Sequence, residues 1–189
     1  MTTYETRPLD ADTWPDFVRI VEANNGVWGG CWRMWYHGKD DGAEDAPEFR
    51  RKAKECRVRE GRAHASLVYK GDDCVGWCQF GSPAELPHIH NHRAYLAADS
   101  ALPDWRITCF FSGKGHRGQG VAHAALKGAV EQISTLGGGR IEGYPEDTAG
   151  RKASPAFLFN GALSTFESLG FERSRLIGKH KWVVTLTIS

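Results

Sequence analysis

Residues 107–126 read ITCFFSGKGHRGQGVAHAAL: an apolar β-type run passes through a glycine-rich basic loop straight into a helix-patterned segment. A strand and a helix joined this tightly around so many glycines have few uses other than holding an anion. Arg117, Gly118, Gln119, Gly120, Val121 and Ala122 would turn several backbone N–H groups toward one point at a helix N-terminus. The first donors there lack internal partners, and the macrodipole is positive. Glycine lets the backbone approach a bulky phosphate because no Cβ stands in the way. The segment therefore demands an α/β arrangement with a phosphate-bearing ligand at the strand-to-helix junction.

The length of 189 residues suits one domain, 1–189, with a core large enough to need no staples. With 24 basic and 23 acidic side chains there is no global attraction to polyanions, so nucleic acid is not an expected partner. No run approaches the ~20 apolar residues that span a bilayer, and no membrane partner is expected. Cys31, Cys56, Cys74, Cys78 and Cys109 are odd in number and follow no framework, as reduced thiols of a cytoplasmic protein do. Cys74 and Cys78, four apart in a strand-like run, are expected on one strand face as buried thiols.

Along the chain, residues 4–8 read as a strand and 12–22 as a helix, with Trp14, Phe17, Val18 and Val21 at helical spacing. Residues 24–36 are irregular and rich in Gly and Trp, followed by an acidic turn over 40–45. Residues 48–60 form a basic amphipathic helix with Phe49, Ala53 and Cys56 as its apolar stripe. Residues 64–69 and 74–80 make a hairpin about Gly71-Asp72-Asp73, with Val75 and Trp77 alternating against Cys74, Gly76 and Cys78. A long connection, with a helical turn over 94–98, leads to the strand 105–111 and the helix after the glycine loop. A strand over 140–144, a helix over 155–169 and two closing strands, 171–177 and 181–188, complete the order β-α-α-β-β-β-α-β-α-β-β.

Gly113, Gly115 and Gly118 also match the dinucleotide fingerprint, but a Rossmann unit needs a parallel βαβ repeat, and a hairpin lies upstream instead. The run Arg117-Gly118-Gln119-Gly120-Val121-Ala122 resembles the acyl-CoA signature of the GNAT (GCN5-related) N-acetyltransferases, Arg/Gln-x-x-Gly-x-Gly/Ala. The element order is similar over nearly the whole chain. Gly76-Trp77-Cys78, Glu142-Gly143-Tyr144-Pro145 and the Gly170-Phe171 corner look like an uncharacterised bacterial branch of the family. The resemblance implies an α/β (α+β) GNAT fold, a mixed central sheet of about seven strands with helices on both faces, splayed at the acyl-CoA site. It implies acetyl-CoA as cofactor and a small-molecule or peptide amine as acceptor, and it admits a homodimer. Cofactor contacts would come from Phe110, Phe111, Ser112, Arg117, Gly118, Gln119, Gly120, Val121, Ala122 and Asn160.

Attack on a thioester requires a neutral amine, and deprotonating a lysine-like amine at neutral pH costs about 4–5 kcal/mol. A base is therefore expected, and on the resemblance Glu142 is its candidate. Where many family members carry a proton-donating tyrosine, four residues before the Gly-Phe corner, this chain has Phe166. Tyr144 or Ser112 could donate instead, or the thiolate leaves unassisted; a CoA-binding interaction module with little catalysis is the alternative reading. Cys109 reads as core rather than nucleophile. His88, His90 and His92 lack acidic or thiol partners nearby, so no metal site is expected. Trp28, Trp32, Trp35 and Tyr36 could form an aromatic cage for an acceptor or a tryptophan-rich core patch.

Overall fold

The computed structural model describes residues 3–27, 30–38, 46–98, 100–150 and 155–189. The acidic turn over 40–45 and Trp28 lie outside the described residues. Seven strands, β1 (Glu5–Pro8), β2 (His64–Lys70), β3 (Asp73–Gly81), β4 (Trp105–Ser112), β5 (Gly139–Gly143), β6 (Glu172–Leu176) and β7 (Trp182–Ile188), form one sheet in the order β1-β2-β3-β4-β5-β7-β6. All neighbours are antiparallel except β4 and β5, which run parallel. This is the mixed, open sheet that the resemblance implies. One face is covered by α4 (Val121–Thr135) and the short α5 (Leu163–Glu167), which bury Ala125, Leu126, Ala129, Ile133 and Phe166 against Val68, Cys78, Ile107 and Ile141. On the other face α1 (Trp14–Ala23) and α2 (Pro47–Arg59) contribute Trp14, Phe17, Ile20 and Val58 to a second cluster with Leu67, Tyr69 and Trp77. Among the described residues no helix is long and apolar enough to cross a membrane.

Three local expectations are overturned. Cys74 packs with the α1 cluster while Cys78 lies in the α4 cluster, and Val75 and Trp77 are split in the same way. The cause is a bulge: Tyr69 pairs with Cys74 but Val68 with Gly76, so Val75 is an extra residue. One added residue exchanges the faces of everything beyond it.

Helix α2 is rotated from the expected stripe, of which only Ala53 packs against the core. Its buried residues are Lys54, Arg57 and Val58, whereas Phe49 is 47% exposed and Cys56 is exposed. The apolar stripe did not set the orientation because Lys54 finds partners inside: its Nζ donates to His37 Nε2 at 2.9 Å and to Gln79 Oε1 at 2.9 Å. Finally, the helix over 155–169 is broken into a 3-10 helix, Pro155–Asn160, and α5, with Gly161 at φ +85° between them. Two further elements fall in stretches read as irregular or as a turn: a 3-10 helix, Met34–His37, and α3 (His92–Leu96).

The parallel pairing of β4 and β5 lasts for three residues, Trp105 to Ile107 opposite Ile141 to Gly143. Beyond it β5 ends, while β4 continues to Ser112 and stays paired with β3 on its other edge. The sheet thus opens into a wedge at Thr108, and the second 3-10 helix lies across the opening.

Candidate functional site

The wedge is a cleft of about 430 Å³. Its lining includes Phe110, Phe111 and Ser112 of β4, Arg117, Gly118 and Ala122 of the glycine loop and α4, and Leu158, Phe159 and Gly161 of the crossing segment. Thr108 marks where the sheet parts: Gln79 pairs with Cys109 but Phe80 with Ile107, which leaves Thr108 as a bulge. Gln79 Nε2 donates to Thr108 Oγ1 at 3.2 Å. The bulge is therefore tied through Gln79 to the buried Lys54 and His37, whose Nδ1 bonds the Glu85 carbonyl at 3.0 Å. Burial and the charges of Lys54 and Arg57 pull His37 down to about 2, and burial pulls Lys54 down to about 7. A neutral His37 can donate from Nδ1 and accept at Nε2, as this chain of bonds needs.

On the far side of the wedge Asn160 closes the gap. Its Nδ2 donates to the Thr108 carbonyl and to Tyr36 Oη at 3.0 Å, and its Oδ1 accepts from Lys181 Nζ at 3.0 Å. All its amide hydrogens are committed within the protein, and it does not line the cleft. The resemblance offered Asn160 as a cofactor contact; the structure makes it the clasp that holds the crossing segment to β4.

The outer end of the cleft is the glycine loop. Gly115, Gly118 and Gly120 have φ of +87°, +70° and +85°, in the left-handed region that favours glycine, and a Cβ on any of them would meet nothing within 4 Å. Their requirement is conformational, and the space around them is open. Gln119 folds back, with Nε2 donating to the Gly115 carbonyl at 2.6 Å, while its own carbonyl accepts from Tyr4 Oη at 3.1 Å. Helix α4, 15 residues long, starts at Gly120 with no side-chain cap and no acidic residue in its first turn. His116 Nδ1 is buried without a hydrogen-bond partner. Uncapped donors at the positive end of a helix of about four turns, with Arg117 beside them, suit a phosphate group. Val121 is buried in the core, where Gly76 makes room for it: a Cβ on Gly76 would collide with Val121 Cγ1 and the Phe111 carbonyl. Only the Val121 backbone is available to a ligand.

Phe110 and Phe111 line the cleft and serve packing as well. Phe110 meets Phe166 edge-on at 5.7 Å, and Phe111 stacks on Trp77 at 4.5 Å. Phe166 is fully buried, and its ring edge lies against Gly143, where a Cβ would stand 2.8 Å from Cζ. The ring tip points into the sheet, so this position takes no part in lining the cleft.

Glu142 and Tyr144 lie below the cleft, and neither lines it. Glu142 is fully buried and accepts from Tyr95 Oη at 2.7 Å, Tyr144 Oη at 3.2 Å and Arg140 at 2.7 Å. Burial raises Tyr144 well above the usual phenol range, with Glu142 adding to the shift.

The tryptophan-rich stretch divides. Trp32 is buried with Trp14 and Phe17, as a core patch would be. Trp35 is 47% exposed, and Tyr36 is buried beside it. Against them lies the histidine loop: His88 Nδ1 bonds the Trp35 carbonyl at 3.0 Å, and His90 stacks on the Trp35 ring at 4.2 Å and 17°. Among the described residues no group of three potential metal ligands forms. Cys109 is buried with Tyr36 and Leu86, and burial raises its thiol to about 11. Sequence reasoning missed the polar chain through Lys54, Gln79 and Thr108, whose members are far apart in the chain and carry no motif.

No family model and no curated protein sequence matches the chain. Its likeness is to solved structures. A mosquito arylalkylamine N-acetyltransferase like 5b superimposes with a TM-score of 0.59 at 11% identity, over 98% of this chain and 100% of that one. The GNAT domain of S. lividans PAT gives 0.55 at 14% identity, over 98% and 90%. The PaiA N-acetyltransferase from Thermoplasma acidophilum, in complex with coenzyme A, gives 0.53 at 9% identity, over 98% and 99%. At such identities the likeness speaks to architecture, and with the mixed seven-stranded sheet parting at β4 it shows that this chain has the fold of the GNAT acetyltransferases.

Proposed function

We propose that the cleft binds acetyl-CoA and that the protein transfers the acetyl group directly to an amine of an acceptor. The observation that carries this reading is the uncapped N-terminus of α4, preceded by left-handed glycines and opening onto the unpaired edge of β4. The PaiA relative, with coenzyme A in the same fold, supports it. Arg117 and the backbone N–H groups of Gly118, Gln119, Gly120, Val121 and Ala122 would hold the pyrophosphate. The free edge of β4 at Phe110, Phe111 and Ser112 would take the pantetheine arm as an added strand, with the two rings as its apolar wall. The cofactor supplies an activated acyl thioester.

Backbone N–H groups on that edge would stabilise negative charge developing on the carbonyl oxygen, a fixed orientation avoiding reorganisation at the moment of attack. The Thr108 bulge and the Asn160 clasp keep the edge apart from β5. In this reading Glu142 and Tyr144 act on the architecture, with Glu142 gathering Tyr95, Tyr144 and Arg140 where β5 leaves the pairing. Ser112 and Thr165 both line the cleft, and Ser112, at the end of the free β4 edge, would be the hydroxyl beside the thioester arm. One domain, 1–189, carries the whole site, and five free thiols fit a cytoplasmic setting. The test is thiol release from acetyl-CoA with a panel of primary amines: amine-dependent release supports transfer, and tight CoA binding with no release for any amine would favour a binding module.

A further inference from the structure

The acetyl-transfer reading leaves the proton of the acceptor amine without a destination, since Glu142 is enclosed beneath the cleft. We propose that His90 accepts that proton, an inference that rests on the transfer reading. His90 stands directly behind the Phe159 wall of the cleft. Its ring meets Phe159, a cleft-lining residue, edge-on at 4.9 Å, and Tyr36 at 5.9 Å, while its face is stacked on Trp35. Three aromatic rings thus fix the imidazole one ring away from the cleft and beside the Asn160 clasp. The neighbouring Ile89 is buried with Tyr95 and Tyr144 and anchors the loop.

Availability separates His90 from its neighbours. His37 is committed to Lys54 and the Glu85 carbonyl, His64 to the Glu85 carboxylate and His88 to the Trp35 carbonyl. Among the described residues neither ring nitrogen of His90 has a hydrogen-bond partner, although the residue is only half-buried. The groups facing it are Trp35, Tyr36 and Arg33 from the first 3-10 segment, Phe159 from the second and Lys181 ahead of β7. Lys181 is itself held by Glu146 and Asn160. Burial, reinforced by Lys181 and Arg33, pulls His90 below the ordinary imidazole range, so it is neutral and able to accept at neutral pH. The same positive surroundings favour the neutral form of an incoming amine.

The ammonium form of the acceptor gives one proton to His90, which passes it to water. The amine nitrogen then bonds to the acetyl carbon as the carbon–sulfur bond breaks, the bonding pair leaves on sulfur, and the remaining surplus N–H proton ends on the thiolate.

The test compares the wild type with His90→Gln, using 2-phenylethylamine as probe because its ring can lie against Trp35 and Phe159. The imidazole is titrated by NMR, CoA affinity is measured by calorimetry, and kcat/KM is followed against pH by thiol release. His90 should titrate below 6.5, and the wild-type kcat/KM should rise through that same pKa as the base loses its proton. His90→Gln should keep the fold and the CoA affinity, lose the rising limb and fall about 100-fold or more in kcat/KM. Titration at or above the ordinary value, no turnover of the probe by the wild type, or an unchanged limb in His90→Gln would each overturn the assignment. Failure of the wild type to bind CoA would instead remove the transfer reading, and this inference with it.

Discussion

Gly143→Ala probes the joint on which the cleft depends. A Cβ there would stand 2.8 Å from Phe166 Cζ and nearer still to Cε1, against the ~3.5–4.0 Å at which carbon atoms rest in contact. The ring would have to retreat by about 1 Å or more. It has little freedom to do so, being fully buried with Phe171 edge-on at 5.0 Å and Phe110 at 5.7 Å. Gly143 is also paired on both sides, with Ile107 and Val184, so β5 cannot move aside. Overpacking of this kind costs about 1–3 kcal/mol. At about 2 kcal/mol, a chain of this size should lose roughly 4–8 °C in Tm. Urea and thermal unfolding followed by circular dichroism read the loss, and Phe166→Leu supplies the control. Once the ring edge is gone, adding the alanine methyl should cost about 1 kcal/mol less than in the wild type, a coupling well above the ~0.5 kcal/mol noise of additivity. A loss below about 0.5 kcal/mol for Gly143→Ala, or strictly additive effects, would refute this account of the joint.

Arg117→Ala, at an exposed position on the cleft wall, should leave stability unchanged and weaken CoA binding about 10- to 100-fold in calorimetry, as the loss of a charge-assisted contact does. Glu142→Gln should lower stability by about 1–3 kcal/mol, because the neutral amide cannot serve Arg140 and two tyrosine hydroxyls alike, while amine-dependent thiol release persists in the folded fraction. Abolished turnover at unchanged stability would make Glu142 the base. Lys54 keeps its proton to about 10.5 when unfolded but releases it near 7 when folded, so between those values folding expels a proton and stability from this group rises with pH. Chemical denaturation of wild type and Lys54→Met should therefore show their difference moving in the wild type's favour from pH 7 toward pH 10; a pH-independent difference would contradict the buried amine.

The glycine loop and the order of elements were legible because each is written locally along the chain, and the parting of the sheet was implied by the resemblance they carry. Gly118 and Gly120 stand where left-handed turns are needed, and α4 begins directly after them. The orientation of α2 was not legible. Its hydrophobic pattern favours burying Phe49 and Cys56, and only the distant His37 and Gln79 make burial of Lys54 tolerable. Likewise the exchange of faces along β3 comes from a single bulged residue, Val75, that alternation cannot reveal. Phe166 suggested a missing proton donor when counted from the Gly-Phe corner. Its direction, into Gly143, depends on the break at Gly161, which helical periodicity smooths over. Glu142 was singled out by its position on β5. Its enclosure follows from Tyr95 in the long connection, 47 residues away in sequence.

If the junction of β4 and α4 holds the phosphates of acetyl-CoA, calorimetric titration of acetyl-CoA into the wild type and into Gly120→Glu will separate the two proteins. The wild type should show saturable one-site binding. Binding should be abolished in the variant, which sets a carboxylate at φ +85° against the positive end of the helix. No binding by the wild type, or equal binding by a folded Gly120→Glu protein, would contradict it.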